Sequence, residues 1–333
     1  MDIFIDPRFE DLYRSDPLVL VDVGARGGLK KDWQPAARYL QVIGFEPDAR
    51  EYQALRARPQ EAGAPLLFGV ALHNRSGAVT FQLARDRGLS SVFEPNRAFL
   101  DQFPDAGRFD ITERAQVDAT TLDELVASSP DIRDVDFLKV DTQGSELYVL
   151  EGAGRTLATR ATGVEVEVEF NPIYTDQPLF GDVDRLLRAA GFQLFDLRPV
   201  YWKRAAGTTV GGPRGQLVWA DALYFKTADG LRAVLSAADP ARRRAKVLKA
   251  ISIAALYGYY DYALEVAQAS GDVLTDSERE TVDRRLRGAG APHGSALPGQ
   301  RTLAAVFHRL WKLCVPRDDT AWSVSRGRVG NRD

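Results

Sequence analysis

Short apolar runs alternate with amphipathic stretches along the first two thirds of the chain. The runs are six to eight residues long, rich in β-branched residues and bounded by Gly or Pro, as is typical of buried strands. Between them, apolar residues recur at helical spacing, for example at Val183, Leu186, Leu187 and Ala190. This alternation predicts an α/β fold with a parallel sheet and helices on both faces. The five predicted strands are residues 18–23, 41–46, 65–72, 135–141 and 163–170.

Two segments of this region depart from the alternation. Before the fourth strand, residues 79–83 read as an additional strand, and Thr120 or Thr121 is placed to cap a following helix. Near the end of the region, residues 192–197 and 218–225 read as strands on either side of a Gly-rich joint at 207–215. Such a joint predicts a hairpin, so we expect the last strand of the sheet to be antiparallel.

The remaining residues, 228–333, contain no predicted strand. Helical patterns cover residues 241–269, with a break near Gly258, and residues 275–287. The polar end of the chain is expected to be frayed. We therefore predict two domains, an α/β domain at residues 1–227 and a helical C-terminal domain at residues 228–333.

A separate apolar stripe runs along residues 301–314. Basic residues flank the stripe, so one interpretation is contact with an anionic membrane. The other interpretation, which is favoured, is that the stripe packs on the protein's own body or on a second subunit of a homo-oligomer. The residues of the stripe are Leu303, Val306, Phe307, Leu310 and Trp311.

Composition narrows the class of protein. The chain is 45% hydrophobic and has one cysteine, Cys314, which excludes an intramolecular disulfide and a multi-cysteine zinc cluster. The first residues are acidic where a signal peptide is basic, and no apolar run reaches the roughly 20 residues of a membrane span. We therefore expect a cytoplasmic protein, with peripheral contact at the inner face of the membrane as an extension of that prediction.

Charge is distributed unevenly between the two predicted domains. Residues 228–333 hold 17 Lys and Arg against 12 Asp and Glu, although the whole chain has a net charge of −3. The larger part of the chain is therefore acidic. An acidic body argues against a nucleic-acid partner, because neutralising phosphates requires clustered basic residues.

A glycine-containing segment follows the first predicted strand. Asp22 precedes Gly24, Ala25 and Arg26, and the glycines have the spacing G-x-x-G-G. A dinucleotide-binding loop has the spacing G-x-G-x-x-G, and a carboxylate at Asp22 would repel a pyrophosphate but attract an ammonium group. We therefore predict that these four residues bind S-adenosylmethionine and disfavour a nicotinamide oxidoreductase.

The ends of the second and third strands complete this predicted cofactor site. Glu46, followed by Pro47, stands 22 residues after Gly24, where an acid can accept hydrogen bonds from both ribose hydroxyls. Ala71 and Leu72 are apolar residues that could flank the adenine. His73 follows them, and it is interpreted either as a surface residue or as a proton acceptor near the cofactor.

Acidic residues mark the ends of the fourth and fifth strands. Asp141 ends the strand expected beside the first strand, where the transferred group would lie. On the fifth strand, Glu165, Glu167 and Glu169 alternate with valines. A buried sheet face does not tolerate three unpaired carboxylates, so at least one of them should face a cleft or a cationic partner. Glu169 is nearest the strand end and is therefore the preferred base or ligand.

Taken together, several of these segments resemble the FkbM family of S-adenosylmethionine-dependent methyltransferases. The resemblance covers about residues 18–226 and implies a Rossmann-like class I fold with a seven-stranded sheet whose last strand is antiparallel. It implies methyl transfer, usually to a hydroxyl of a sugar or natural product. It assigns Asp22, Gly24 and Glu46 to the cofactor and Asp141 to the central cleft. The segments that carry it are residues 21–28, 45–47, 121–123, 136–152 and 180–192.

One departure from the family pattern concerns the residue before Gly144. The family commonly has an acid there, whereas this chain has Gln143, so an acid–base or metal role for that position is in doubt. The predicted function is O-methylation of a small-molecule, glycan or glycolipid acceptor. The alternative is a catalytically weak S-adenosylmethionine-binding scaffold whose helical tail recruits a partner.

A hydroxyl acceptor needs a base to take its proton. The candidate bases are Asp141, Glu169 and His73. A second version of the mechanism has magnesium held by Asp141, Glu169 and Asn171, since acid and amide oxygens suit that ion, but the metal-free version is favoured. Asn171 and Tyr174 are assigned to the acceptor by position alone.

Overall fold

A computed structural model describes most of the chain. The structure describes residues 7–58, 65–208, 215–290, 299–314 and 322–325. Most of the Gly-rich joint, most of the predicted linker at 288–299, most of the polar end and the first six residues lie outside these ranges.

The described residues form strands and helices in an alternating order. The strands are β1 Leu18–Val23, β2 Leu40–Phe45, β3 Leu66–Phe68, β4 Ala71–Leu72, β5 Gly77–Ala84, β6 Ile111–Thr120, β7 Phe137–Val140, β8 Gly163–Glu169, β9 Phe192–Trp202, β10 Gln216–Lys226 and β11 Ser323–Ser325. The helices are α1 Pro7–Ser15, α2 Ala49–Arg56, α3 Arg97–Leu100, α4 Leu122–Ser128, α5 Glu146–Glu151, α6 Gly154–Thr159, α7 Phe180–Ala189, α8 Ala228–Ala237, α9 Pro240–Leu256, α10 Tyr260–Ala269, α11 Asp276–Gly290 and α12 Gln300–Cys314. Short 3₁₀ segments lie at Lys31–Tyr39, Arg87–Leu89, Ala106–Phe109 and Ala205–Gly207.

The large sheet has the order β11-β9-β10-β8-β7-β1-β2-β3. The strands from β8 to β3 are parallel, while β10 runs antiparallel to both β8 and β9. The predicted sheet of seven strands with an antiparallel last strand is thus confirmed, and β11 adds an eighth strand at the edge. The chain leaves β1 toward β2 and β3, then returns to β7 on the other side of β1. This change of direction creates a crevice at the carboxyl ends of β1 and β7.

Three expectations about strands and helices were wrong. The run at 65–72 divides into β3, in the large sheet, and β4, which joins β6 and β5 in a second sheet. The strand β6 was missed because its side chains are mostly exposed and polar, so no apolar pattern marks it. Within residues 228–333, where no strand was expected, the short strand β11 is present.

The C-terminal helices share a hydrophobic core with the sheet. Trp33 and Phe137 pack against Val247, Ile251 and Tyr257 of the C-terminal segment in one buried cluster. A second buried cluster fills the other face of the sheet with β-branched residues of β1, β7 and β8. The domain boundary at residue 227 stays a prediction, but the apolar core continues across it.

Buried ion pairs connect α9 to Asp136, the residue that precedes β7. Asp136 is fully buried, and its carboxylate accepts a 2.6 Å hydrogen bond from Lys246 Nζ and a 2.9 Å bond from the Val19 amide. Lys249 Nζ lies 3.3 Å from the same carboxylate. Burial alone would raise the pKa of Asp136, but the two lysines outweigh it and lower the pKa to about 2.

Replacing one of these lysines should destabilise the fold strongly. In Lys246→Met, Asp136 keeps only part of its compensation, and breaking a buried ion pair costs about 3–5 kcal/mol of unfolding free energy. Urea denaturation followed by circular dichroism would measure this loss. Arg232→Met, at an exposed position of α8, should change the stability by less than about 0.5 kcal/mol. Equal stability of the two variants would contradict this account.

The stripe on α12 is exposed. Its five side chains retain between 48% and 62% of their accessible surface, and every exposed large hydrophobic residue in the described part of the chain lies on this helix. The structure therefore does not place the stripe on the protein's own body. Among the described helices, none combines the length and the apolar character that crossing a membrane requires.

Candidate active site

A cavity of about 240 Å³ opens at the carboxyl ends of β1, β2 and β7. It occupies the crevice where parallel α/β sheets bind their ligands. Seven residues of the predicted site line it, namely Gly24, Arg26, Glu46, Pro47, Ala71, Leu72 and Asp141. The structure thus brings together residues that are more than 100 positions apart in the sequence.

Gly24 allows the loop after β1 to approach β7 closely. Its φ is +80°, and a Cβ atom there would collide with the backbone carbonyl oxygen of Asp141. The amides of Gly24 and Ala25 both donate to the carbonyl of Phe45, at 3.0 and 3.1 Å, which also ties the loop to β2. The floor of the cavity is therefore backbone.

The structure provides a matched test of this close approach. Gly27 has a φ of +88°, and no atom lies within 4 Å of the place that a Cβ would take, so Gly27→Ala should incur only the left-handed backbone cost of about 1–2 kcal/mol. Gly24→Ala adds a backbone clash, so its loss of unfolding free energy should be larger. Chemical denaturation measures both values. The same loss in both variants would show that the contact with Asp141 is unimportant.

Lys139 is a buried cation between two of the predicted acids. Its Nζ lies 3.1 Å from Asp22 Oδ1 and 3.5 Å from Asp141 Oδ2, and donates to the Gly24 carbonyl at 3.3 Å. Burial alone would raise the pKa of Asp141, but Lys139 and then Lys30 outweigh it and hold the pKa below its ordinary value. Sequence reasoning missed Lys139, although a lysine between Leu138 and Val140 in a buried strand is an unusual feature that could have marked it.

Glu46 occupies the end of β2. It is buried, and its Oε1 accepts a 2.9 Å hydrogen bond from the amide of Asp48, the residue that caps α2. Burial raises the pKa of Glu46 to about 7, and the charges of Asp48 and Glu51 add to the rise while Arg26 opposes it. This carboxyl group therefore titrates near neutral pH.

One wall of the cavity comes from the segment that joins β5 to β6. Arg87, Gly88, Ser90 and Val92 belong to it, and together with Phe81 of β5 they line the cavity beside Ala71 and Leu72 of the predicted site. Residues 87–92 were assigned no role from the sequence. No apolar pattern connects them to the cofactor site, since their position depends on the second sheet.

Several predicted site residues do not line the cavity. Asp22 and Ala25 are buried beneath it. His73 is half-buried, its ring lies against Tyr148 with a centroid distance of 5.0 Å, and burial lowers its pKa. Its assignment as a base stays a prediction.

The residues after β8 are also outside the cavity lining. Asn171 donates to the Leu217 carbonyl at 2.7 Å and accepts from Gln216 at 2.9 Å, so its carboxamide holds β10. Tyr174 is buried and its hydroxyl donates to the Leu89 carbonyl. Both polar atoms of the Asn171 carboxamide thus have protein partners, and a magnesium site of Asp141, Glu169 and Asn171 stays a prediction.

Gln143 connects the cavity to the acids of β8. It lies in the left-handed region with a φ of +58°. Its Nε2 donates to Asp141 Oδ1 at 3.1 Å and to Glu167 Oε1 at 2.7 Å. An ionised acid in place of Gln143 could only accept hydrogen bonds, whereas the amide group of Gln143 donates to both carboxylates. Gln143 therefore allows these acids to lie close together.

The sheet order, the antiparallel last strand and the cavity at the ends of β1 and β2 define a Rossmann-like fold of the class I methyltransferase type. The family described as "Methyltransferase FkbM domain" matches residues 22–194, about half of the chain. The chain belongs to the FkbM methyltransferase family.

Comparison with individual proteins gives more distant matches. The 2-O-methyltransferase NoeI of Sinorhizobium fredii is 29% identical over 192 residues, which cover 53% of this chain and 73% of NoeI. A crystal structure of the FkbM methyltransferase from Methylobacillus flagellatus is 18% identical, with a TM-score of 0.36. The match covers 63% of this chain and 44% of that one. The magnesium protoporphyrin IX methyltransferase of Synechocystis, solved with bound S-adenosylmethionine, is 11% identical with a TM-score of 0.32, covering 66% and 77% of the two chains.

Proposed function

We propose that this protein is an S-adenosylmethionine-dependent O-methyltransferase that acts on a hydroxyl of a sugar, a glycan or a natural product. The observation that carries the proposal is the cavity at the ends of β1, β2 and β7, which unites Gly24, Glu46 and Asp141. Membership of the FkbM methyltransferase family supports the reaction class.

The charges around the cavity suit the proposed cofactor. Asp141 lines the cavity, where its carboxylate can attract the ammonium of an amino acid, and Lys139 lies between it and Asp22. Glu46 offers carboxylate oxygens to the ribose hydroxyls, and Ala71 and Leu72 offer apolar surface to the adenine. A pyrophosphate would face the same carboxylates unfavourably, which disfavours a dinucleotide.

Asp141 is the proposed base of the reaction. It is the predicted base that lines the cavity, and Lys139 and Lys30 keep its carboxylate ionised. S-adenosylmethionine bound beside Asp141 would supply a methyl group activated by a sulfonium, and its carbon–sulfur bond would break as the acceptor oxygen bonded to the methyl carbon. Asp141 receives the hydroxyl proton, so no charge is left on the product oxygen.

The relative NoeI, a 2-O-methyltransferase, supports oxygen as the acceptor atom. A panel of hexose and deoxyhexose glycosides incubated with labelled S-adenosylmethionine would test the acceptor class. Transfer to a sugar hydroxyl, lost in Asp141→Asn, is the expected result. Cofactor binding without transfer to any acceptor would favour the alternative of a scaffold whose helical tail recruits a partner.

Cofactor binding should depend on Glu46. Replacing its carboxylate removes charged hydrogen-bond acceptors worth about 1.5–3 kcal/mol, so Glu46→Gln should weaken S-adenosylhomocysteine binding about 10- to 100-fold. Isothermal titration calorimetry measures the dissociation constant. Glu265→Gln, at an exposed position of α10, is the matched control and should bind as the wild type does.

The same carboxyl group predicts a pH dependence. The pKa of Glu46 is about 7, and only its ionised form accepts hydrogen bonds from both hydroxyls. Affinity should therefore rise between pH 6 and pH 8, by up to about 10-fold for a single ionisation, and level off above it. Glu46→Gln should lose this rise near pH 7. A wild-type affinity that is flat over this range would remove Glu46 from the cofactor site.

We also propose a cytoplasmic protein that binds anionic membranes through α12. The stripe of Leu303, Val306, Phe307, Leu310 and Trp311 is exposed, and no acidic residue occurs between Asp283 and Asp318. An apolar face beside basic residues suits a negatively charged lipid surface. A glycolipid acceptor becomes a natural candidate in that case.

Vesicle flotation tests the membrane contact. Phe307→Glu places a charge on the apolar stripe and should reduce binding to phosphatidylglycerol-containing vesicles at least about 10-fold, because a large apolar side chain contributes about 1.5–3 kcal/mol when buried. Ala305→Glu adds the same charge on the opposite side of the helix and should have a much smaller effect. Wild-type protein that does not float would end the membrane proposal and leave a second subunit as the partner of α12.

A further inference from the structure

Of the three acids on β8, Glu165 has a basic side chain as its partner, whereas Glu167 and Glu169 have none within the described residues. Glu165 accepts a 2.8 Å hydrogen bond from Lys30 Nζ and a 2.7 Å bond from the Tyr257 hydroxyl. Glu167 and Glu169 follow on the same face of the strand. Within the described ranges, no Lys, Arg or His forms an ion pair with either of them.

A third carboxylate lies beside this pair. Glu146, the first residue of α5, contributes an oxygen that lies within 4.8 Å of an oxygen of Glu167 and of Glu169, and all three side chains are buried. Glu146 accepts hydrogen bonds from the amides of Thr142 and Gly144, at 2.6 and 2.9 Å, so its carboxylate is held in place. The cluster thus converges beneath the loop at residues 142–144.

One oxygen of this cluster has no hydrogen bond. Glu169 is 2% exposed, and its Oε1 is buried without a hydrogen-bond partner among the described residues. A buried polar atom without a partner is costly, and converging carboxylates in a medium of low dielectric repel one another strongly. A bound cation would satisfy the free oxygen and offset the repulsion.

We propose that Glu146, Glu167 and Glu169 form a binding site for a hard divalent cation such as Mg²⁺, Mn²⁺ or Ca²⁺. These ions prefer oxygen ligands, and opposite ligands of one ion are about 4.2 Å apart around Mg²⁺ and about 4.6–5.2 Å apart around Ca²⁺. Oxygens that all lie within 4.8 Å of one another are close enough to contact one such ion. Three carboxylates leave further coordination positions for water or for oxygens of another molecule.

The cation site would lie beside the proposed reaction centre. Gln143 Nε2 donates to both Asp141 and Glu167, so one side chain links the cavity to the cluster. A cation held there would fix the loop at residues 142–144, because Thr142 and Gly144 donate to Glu146 and Gln143 donates to Glu167. This functional role rests on the proposed methyltransferase activity, whereas cation binding itself does not.

The experiment measures cation binding to the full chain after treatment with EDTA. Free Mn²⁺ is followed by electron paramagnetic resonance, and Mg²⁺ and Ca²⁺ by calorimetry. We expect one ion per chain, with binding weakened at least about 10-fold in Glu169→Gln and in Glu167→Gln. Glu151→Gln, an exposed acid on the same helix as Glu146, should bind as the wild type does.

A thermal shift with S-adenosylhomocysteine, run without metal, separates the possible results. Variants that still respond to this ligand are folded, and the pair of variants covers the case in which one does not fold. Wild-type protein that binds no cation at millimolar concentration, or variants that bind it unchanged, would overturn the cation site. Cation binding without a response to S-adenosylhomocysteine would instead contradict the proposed methyltransferase function.

Discussion

The ion pairs of Lys139 hold together the two strands on which the site depends. The register places Asp22 of β1, Lys139 of β7 and Glu165 of β8 side by side across three neighbouring strands. Because this lysine is buried, its ammonium must remain compensated, and the acids on either side provide that compensation. The loop of Gly24 and the carboxylate of Asp141 are both within reach of the same ammonium. Lys139 therefore connects the loop after β1 to the charged end of β7 at the cavity.

One face of the sheet changes character along its strands. At the beginning of the parallel strands this face carries Leu20 and Phe137, and Phe225 of the antiparallel β10 lies at the same level. All three belong to the core beneath the C-terminal helices. At the end of the strands the face carries Asp22, Lys139 and the acids of β8. The apolar half packs against the C-terminal helices, and the charged half lies beside the candidate active site. Side chains alternate strictly along β8, so its valines belong to the second buried cluster on one face while its acids lie on the charged face.

Much of the large sheet was predictable from the sequence because its strands are short, buried and β-branched. The bounds of β1 were predicted without error, and Thr121 caps α4 as expected. The residues contributed by strand ends, Gly24, Glu46 and Asp141, were predictable for the same reason. The wall formed by Arg87 and its neighbours was not, because it depends on β6, a polar strand that only its hydrogen-bonded partners define. Lys139 was overlooked because a single lysine has no periodicity.

The buried pairs of Asp136 with Lys246 and Lys249 bear on how large the folding unit is. The family match ends at residue 194, yet the beginning of β7 is held by a helix that starts at Pro240. A chain shortened at residue 227 would leave a buried carboxylate uncompensated and an apolar sheet face open to water. The opposite end of β7 carries the groups that shape the cavity. The helices beyond the matched region are therefore part of the enzyme's scaffold, and exchanging them between relatives would require exchanging their partners on the sheet as well.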